Sequence, residues 1–280
     1  MTDRSHPLTP AKPRVPAQRA RTSLPPLDPR RYAPTAERPA RAKERRMAHH
    51  MDIQAHHHEW GQLVFSFSGV VRVSTERHTF LVPPSRAVWI PRGVVHAVTA
   101  VERCDLRTLY LLEPPSAEAC WEGCRVLEVS PLLRELVVAL AALSAEVASP
   151  REAWLAALIR DELAQARSLR LGVDLPRDKR LRRLCEAMLE APQRHARLED
   201  WATEAGASAR TISRLFRQEL GSSYAQWRQQ ALLAHALRLA ARRHPMQLIA
   251  AELGYASPSA FSAMVTRTVG MPPRKFFEQA

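Results

Sequence analysis

Apolar positions recur at helical spacing through the last third of the chain, and they do so twice. Leu198, Trp201, Ala202 and Ala205 make a short stripe that stops at Gly206. Ser208 then opens a second stripe, carried by Ile212, Leu215 and Phe216 and closed by Gly221. The order returns as Leu248, Ile249 and Leu253, then Gly254, then Ser257-Pro258 ahead of Phe261 and Val265, closing at Gly270. From Ile212 and Phe261 onward the two passes hold an offset of 49 residues, through Phe216/Val265, Gly221/Gly270 and Trp227/Phe276. A glycine supplies the positive φ of a sharp turn, a serine caps the next helix, and a glycine ends it, which is the pattern of a helix-turn-helix. Proline at the first helical position strengthens the second copy. Between the copies, the spacing predicts one long helix over Tyr224–Ala241, with Leu232, Leu233, Ala236, Leu237 and Ala240 on one face.

Upstream the period changes. From Gln62 to Val73 the chain alternates, with Leu63, Phe65 and Phe67 on one side and Gln62, Val64, Ser66 and Ser68 on the other. Gly69, Pro83-Pro84 and Pro91-Arg92-Gly93 separate short β-rich runs such as Ala87–Ile90, the pattern of a β-sandwich or barrel. Helical stripes follow: Leu132, Leu133, Leu136, Val137 and Leu140, then Trp154, Leu155, Leu158, Ile159 and Leu163. Leu171–Asp178, with Gly172 and Pro176, reads as a linker, and Leu181, Leu184, Cys185 and Met188 open the next helix. The predicted order is therefore a tail (1–46), a small β-barrel (47–130), a helical connector (131–175) and an all-α double helix-turn-helix unit (176–280), a two-domain chain of β then α.

Charge sharpens this division. The chain carries a formal net +13. Residues 176–280 hold 17 Lys+Arg against 9 Asp+Glu and residues 1–46 hold 12 against 4, whereas 47–175 hold 12 against 15. Positive charge gathers on the repeated unit, as phosphate neutralisation requires, and on the tail. The tail places nine prolines among Arg and Ala with no aliphatic period, so it cannot offset its ordering entropy and is expected to be disordered. A start at Met47 or Met51 would fit that composition equally well. No apolar h-region marks a secretory signal, and no run approaches a membrane span. The cysteines (104, 120, 124, 185) lack CxxC spacing, so they are expected to be structural thiols in a reduced bacterial cytoplasm.

The repeated unit resembles the AraC family of bacterial transcription regulators from about Pro176 onward. Ile249–Phe261, reading IAAELGYASPSAF, and Val269–Phe276, reading VGMPPRKF, follow the family signature nearly position for position. Arg197 departs from the usual serine or threonine cap, and Val265 stands where phenylalanine is common. The resemblance implies double-stranded DNA as partner, with RNA polymerase as a further candidate. In the first copy it places Arg210, Ser213 and Arg214 at base-reading positions, with Thr211 on the same outer side and Arg217 toward phosphate. In the second it places Ser259, Ala260, Ala263 and Met264 toward bases and Arg267 toward phosphate. Arginine can donate two bonds to guanine, whereas the second set offers little beyond methyl contact, so specificity is expected mainly in the first half-site.

His56–Gln62, reading HHHEWGQ, and Pro91–His96, reading PRGVVH, resemble the two motifs of the cupin barrel, in the subfamily that joins a small cupin to an AraC-type unit. His56 and His58 share a face if they lie on a strand, and His96 could complete a three-nitrogen site. Imidazole suits divalent first-row metals such as Fe, Ni, Zn or Cu. Gln62 stands where the pattern usually supplies a carboxylate, and an amide oxygen is a poorer ligand. Two occupants stay open, a metal or an organic effector. His57 is expected to face outward and His49, His50 and His78 to lie on the surface. The resemblance implies that the connector helices pair two subunits into a homodimer; packing on their own barrel is the alternative. The function expected is a DNA-binding regulator, not an enzyme, controlled by a small molecule or metal. The alternatives are a constitutive regulator with a vestigial barrel and a metal-dependent cupin enzyme.

Overall fold

The computed structural model describes residues 22–26, 32–84, 86–113, 119–143, 147–169, 171–191 and 197–277. Among the described residues, twelve strands precede and interleave with the connector: β1 (Thr22–Leu24), β2 (Ala40–Met47), β3 (Met51–His56), β4 (Gly61–Ser66), β5 (Val71–Thr75), β6 (His78–Val82), β7 (Arg86–Ile90), β8 (His96–Ala100), β9 (Cys104–Leu111), β10 (Arg125–Glu128), β11 (Ser168–Leu169) and β12 (Gly172–Asp174). Among the described residues, the α-helices are α1 (Pro131–Ala141), α2 (Pro150–Gln165), α3 (Lys179–Glu190), α4 (Leu198–Glu204), α5 (Ala209–Leu220), α6 (Tyr224–Ala241), α7 (Met246–Glu252), α8 (Pro258–Val269) and α9 (Pro273–Phe277).

The strands form two six-stranded sheets, β1-β3-β8-β5-β6-β12 and β11-β10-β7-β4-β9-β2. The expected barrel is thus realised as a two-sheet sandwich whose sheets share no ladder among the described residues. A β-rich N-terminal region is followed by a helical one. Alternation decides the packing. Val64 and Val88 face inward to meet Val71, Val73 and Val98 of the other sheet, while Leu63, Phe65, Ala87 and Trp89 face outward. That outer face is covered by α1 and α2 through Leu133, Leu136, Val137, Leu140, Leu155, Ile159 and Leu163. The connector helices therefore pack on their own sandwich, and Trp154 and Leu158 are left exposed.

Three sequence boundaries move. Residues 40–46 are not tail: β2 pairs with β9 over eight residues, Ala40↔Leu111 to Met47↔Cys104, and Ala40 and Met47 are buried. Its charges (ARAKERRM) hid it, because β2 is an edge strand whose polar side chains meet water and discourage further pairing. Arg38 and Arg41 reach a buried Glu152 on α2, with Arg38 Nη2 2.8 Å from Oε2, which ties this segment to the connector. β1 pairs in parallel with β3 through Thr22↔Met51. Residues 1–21 and 27–31 of the expected disordered tail lie outside the described ones. The linker reading of Leu171–Asp178 also fails in part. Gly172–Asp174 pair with β6, and Gly172 lies so close to Phe80 that a Cβ would fall 2.6 Å from the ring. β11 and β12 are too short to show a period.

Cys104 and Cys185 are buried free thiols and Cys124 is half-buried, with the Cys104 and Cys124 thiols pushed up to about 11 by burial. Among the described residues, no helix is long and apolar enough to cross a membrane.

Deleting residues 1–46, or starting the chain at Met47, removes β2 and leaves Glu152 without Arg38 and Arg41. The truncated protein should melt roughly 10 °C lower than the full chain or aggregate. An unchanged melting midpoint by scanning calorimetry would return 40–46 to the status of an accessory tail.

Candidate nucleic-acid interface and histidine pocket

Both copies close as their spacing predicts. Ser208 Oγ accepts from the Thr211 amide at 3.1 Å and Ser257 Oγ from the Ala260 amide at 3.2 Å, caps worth about 1 kcal/mol each. Gly206 and Gly254 take φ of +62° and +77° at the turns, and Gly221 and Gly270 end α5 and α8 left-handed. Arg197 makes no side-chain cap. Helix α6 begins with a full capping box, Ser223 and Gln226, which the sequence reading missed although the S-x-x-Q spacing announces it.

On α5, Ile212 and Phe216 point into the core, where Phe216 meets Trp227 edge-on at 5.7 Å. Arg210, Arg214 and Arg217 are exposed, and Thr211 and Ser213 are half-buried beside them. These five, with Gln218, border one open depression. Gln218 was missed, though it lies four residues beyond Arg214 and therefore on the same face. On α8, Ser259, Ala260, Ala263 and Arg267 are exposed, and Ser259 shares a 2.8 Å hydrogen bond with the cap Ser257. Met264 does not join them. It is 1% exposed, within the core that holds Phe261 and Val265, so it is a packing residue. It lies three residues after Phe261 and one before Val265, and the 49-residue offset matches it to Leu215 of the first copy, so the repeat itself placed it on the buried stripe and the assignment to the groove overlooked that. Thr266, exposed three residues after Ala263, occupies the outer face that Met264 was expected to fill.

The three motif histidines converge at one end of the sandwich. His56 at the end of β3 pairs in register with His96 at the start of β8, and His58 follows two residues later. One ring nitrogen from each lies within 4.8 Å of the other two. The His56 and His96 rings are 4.4 Å apart, and His58 is wedged between Trp60, stacked at 5.2 Å, and the edge of Tyr110. His56 Nδ1 sits 2.6 Å from the Gln54 carbonyl and His96 Nδ1 2.9 Å from that of Val94. A ring nitrogen facing a carbonyl must carry the proton, so Nε2 of each keeps its lone pair. His96 Nε2, both His58 nitrogens and Gln62 Oε1 are buried without a hydrogen bond of full geometry, although the Gln62 side chain lies near enough to the His58 imidazole to oppose part of its downward shift. Burial first, and then the His56 and His96 rings, push the His58 imidazole down to about 4; burial does the same to His96. These rings are neutral at pH 7 and ready to ligate. His57, His49 and His50 are exposed, and His78 is half-buried, 3.3 Å from Asp174.

A family profile described as a helix-turn-helix domain matches residues 201–279. The chain is 33% identical to the HTH-type transcriptional regulator NimR of Escherichia coli (strain K12) over 222 residues, 79% of this chain and 81% of that one. It belongs to the AraC family of helix-turn-helix transcription regulators. A second relative, the HTH-type transcriptional regulator RipA of Corynebacterium glutamicum, is 28% identical over 36% of this chain and 31% of its own. Among solved structures, ToxT from Vibrio cholerae aligns over 86% of this chain and 98% of that chain at 9% identity and a TM-score of 0.37. The AraC-family relatives are regulators of transcription, and the alternative of a cupin enzyme is dropped.

As an AraC-family protein the chain is a DNA-binding regulator, and Met264 supplies a clean internal control. Met264→Ala should cost about 2–5 kcal/mol of stability by opening a core cavity, while base preference on operator variants stays the same. A stable Met264→Ala protein with altered sequence choice would put this side chain back in the groove.

Proposed function

We propose that this regulator reads duplex DNA with α5 and α8 in successive major grooves about one turn (~34 Å) apart. Arg210, Ser213 and Arg214 read base edges and Gln218 extends their row. Arg217 and Arg267 hold phosphates; Ser259, Ala260, Ala263 and Thr266 make methyl and hydroxyl contacts in the second half-site. Guanine is the natural target of the arginines, so most sequence information lies in the first half-site. Support comes from the exposed cationic row on α5 and its near absence on α8. Two copies pair through the outer face of α2, where Trp154 and Leu158 stand exposed one turn apart, and RNA polymerase is a further partner.

The β-region in this reading is a cupin-type sensor whose effector site is the histidine pocket. One observation carries it: four buried polar atoms on His58, Gln62 and His96, at most weakly paired with one another, converge beside a half-exposed His56. Leaving such atoms unsatisfied costs about 1–3 kcal/mol each, so a vestigial pocket would be an expensive relic. Three neutral imidazoles offer their lone pairs at once, the donor set of a divalent first-row ion, with Gln62 as a weak fourth ligand. When bound, such an ion would take one nitrogen from each histidine and, more weakly, Gln62 Oε1, leaving the second His58 nitrogen as an N–H, and would link β3 to β8. An organic effector that donates hydrogen bonds is the alternative occupant.

Arg214→Ala should weaken specific binding by about 1–3 kcal/mol and relax choice at one base pair. Fluorescence anisotropy on single-base operator variants measures it; equal losses on every sequence would make Arg214 a phosphate contact instead. For the pocket, protein purified without chelators should carry one first-row ion per chain by elemental analysis, and His58→Ala should release it. Metal-free protein whose regulatory response still vanishes in His58→Ala would favour the organic effector. Normal regulation by a His56/His58/His96 triple-alanine variant would leave a constitutive regulator.

A further inference from the structure

We propose that the continuous segment from Arg86 to Glu102 couples the histidine pocket to the second helix-turn-helix motif; this rests on the reading of the pocket as an effector site. The segment is β7, a short loop and β8. Its middle belongs to the pocket: His96 heads β8, and in the loop Gly93 N donates to the His58 carbonyl at 2.7 Å. Both of its ends belong to the DNA-binding unit. Arg86 Nη2 donates to the Phe276 carbonyl at 3.3 Å, with its guanidinium 6.0 Å above the Phe276 ring. Glu102, just beyond β8, holds Arg242 at 2.7 Å, where α6 gives way to the loop leading into α7.

The geometry favours transmission. β7 lies between β10 and β4, and β8 between β3 and β5, so each is hydrogen-bonded on both sides and moves as a rod. At about 3.3 Å per residue, Arg86 stands roughly 13 Å from Ile90 at the pocket end, and Glu102 at most roughly 20 Å from His96. From Phe276 the contact continues through rings: Phe277 at 5.0 Å, then Phe261, parallel at 6.1 Å, on the second recognition helix. The first motif rests on other strands. Trp227 Nε1 donates to the Asp174 carbonyl of β12 at 2.6 Å, and Arg182 to the Glu76 carbonyl between β5 and β6 at 2.8 Å. Of the segment itself, Val101 alone packs toward the first motif's core.

Arg86 also makes this docking sensitive to the position of β7. It is 1% exposed, paired across the ladder with Glu128 at 3.8 Å, and α9 lies over it. Burying a charge costs free energy that pairing recovers only in part. Lifting α9 loses the Phe276 contact and uncovers its ring, and the water returned to Arg86 offsets part of that loss, so a shift of β7 at Arg86 changes how firmly α9 is held.

Hydrogen exchange on the full chain, with and without Zn²⁺, tests the proposal. Zn²⁺ should change exchange across residues 246–277 by about fivefold or more, and across 198–220 by clearly less. Glu102→Gln and Arg86→Met should bind Zn²⁺ as tightly as the unmodified protein yet lose most of that remote change. Persistence of the full change in both variants, or an equal change in both motifs, overturns the coupling while leaving the pocket as a metal site. If the protein takes up no Zn²⁺, the metal reading falls and the coupling is judged with His96→Gln. A shift in 246–277 that disappears when Arg86→Met and Glu102→Gln are added sustains it. Exchange altered only within the strands refutes it.

Discussion

The burial of α6 is the constraint on which the rest of the structure depends. Ten of its eighteen residues are buried, among them Trp227 and the run Ala231 to Leu237, so its C-terminal half has almost no face for water. A helix apolar nearly all round must be enclosed, and here three bodies enclose it. The first motif packs on its N-terminal half through Phe216 and Trp227, the second on its C-terminal half through Phe261 and Phe276, and β6 and β12 close the remaining side. The inner core of the sandwich and the core of the second motif are consequently one continuous apolar body. Spacing between the two helix-turn-helix motifs and contact with the β-sandwich are set by the same helix.

That arrangement explains why polar contacts across the boundary are few but well placed. Apolar packing gives the docking its strength, and Trp227 to Asp174, Arg86 to Phe276 and Arg242 to Glu102 fix its register. Directional bonds of this kind add little net stability, yet leaving any of them unmade inside a buried boundary is costly. The boundary is therefore firm in one geometry and intolerant of intermediate ones, which is the property a switch needs.

Much of this was legible in the sequence because it is local. The caps at Ser208 and Ser257, the four turn and closing glycines and the limits of α6 follow from chemistry within a few residues of each position. The convergence of His56, His58 and His96 was legible from two motifs on neighbouring strands. What escaped was non-local or masked. β2 looks like a charged tail because an edge strand needs only one apolar side, and β12 is shorter than any period. Met264 was legible too, since the 49-residue offset pairs it with Leu215 on the buried stripe of the first copy, and its assignment to the groove did not use that pairing. Arg86 looked like one basic residue among many, since its partner Phe276 lies 190 residues away.

The central claim is that two helix-turn-helix motifs, held at a fixed distance by a buried α6, grip one face of a DNA duplex. Hydroxyl-radical footprinting on an operator selected from random sequence tests it most directly. The account gives two protected patches on the same face, about 10–10.5 base pairs apart, with stronger sequence preference in one. A single protected patch, or two whose separation varies from one selected operator to another, would contradict it.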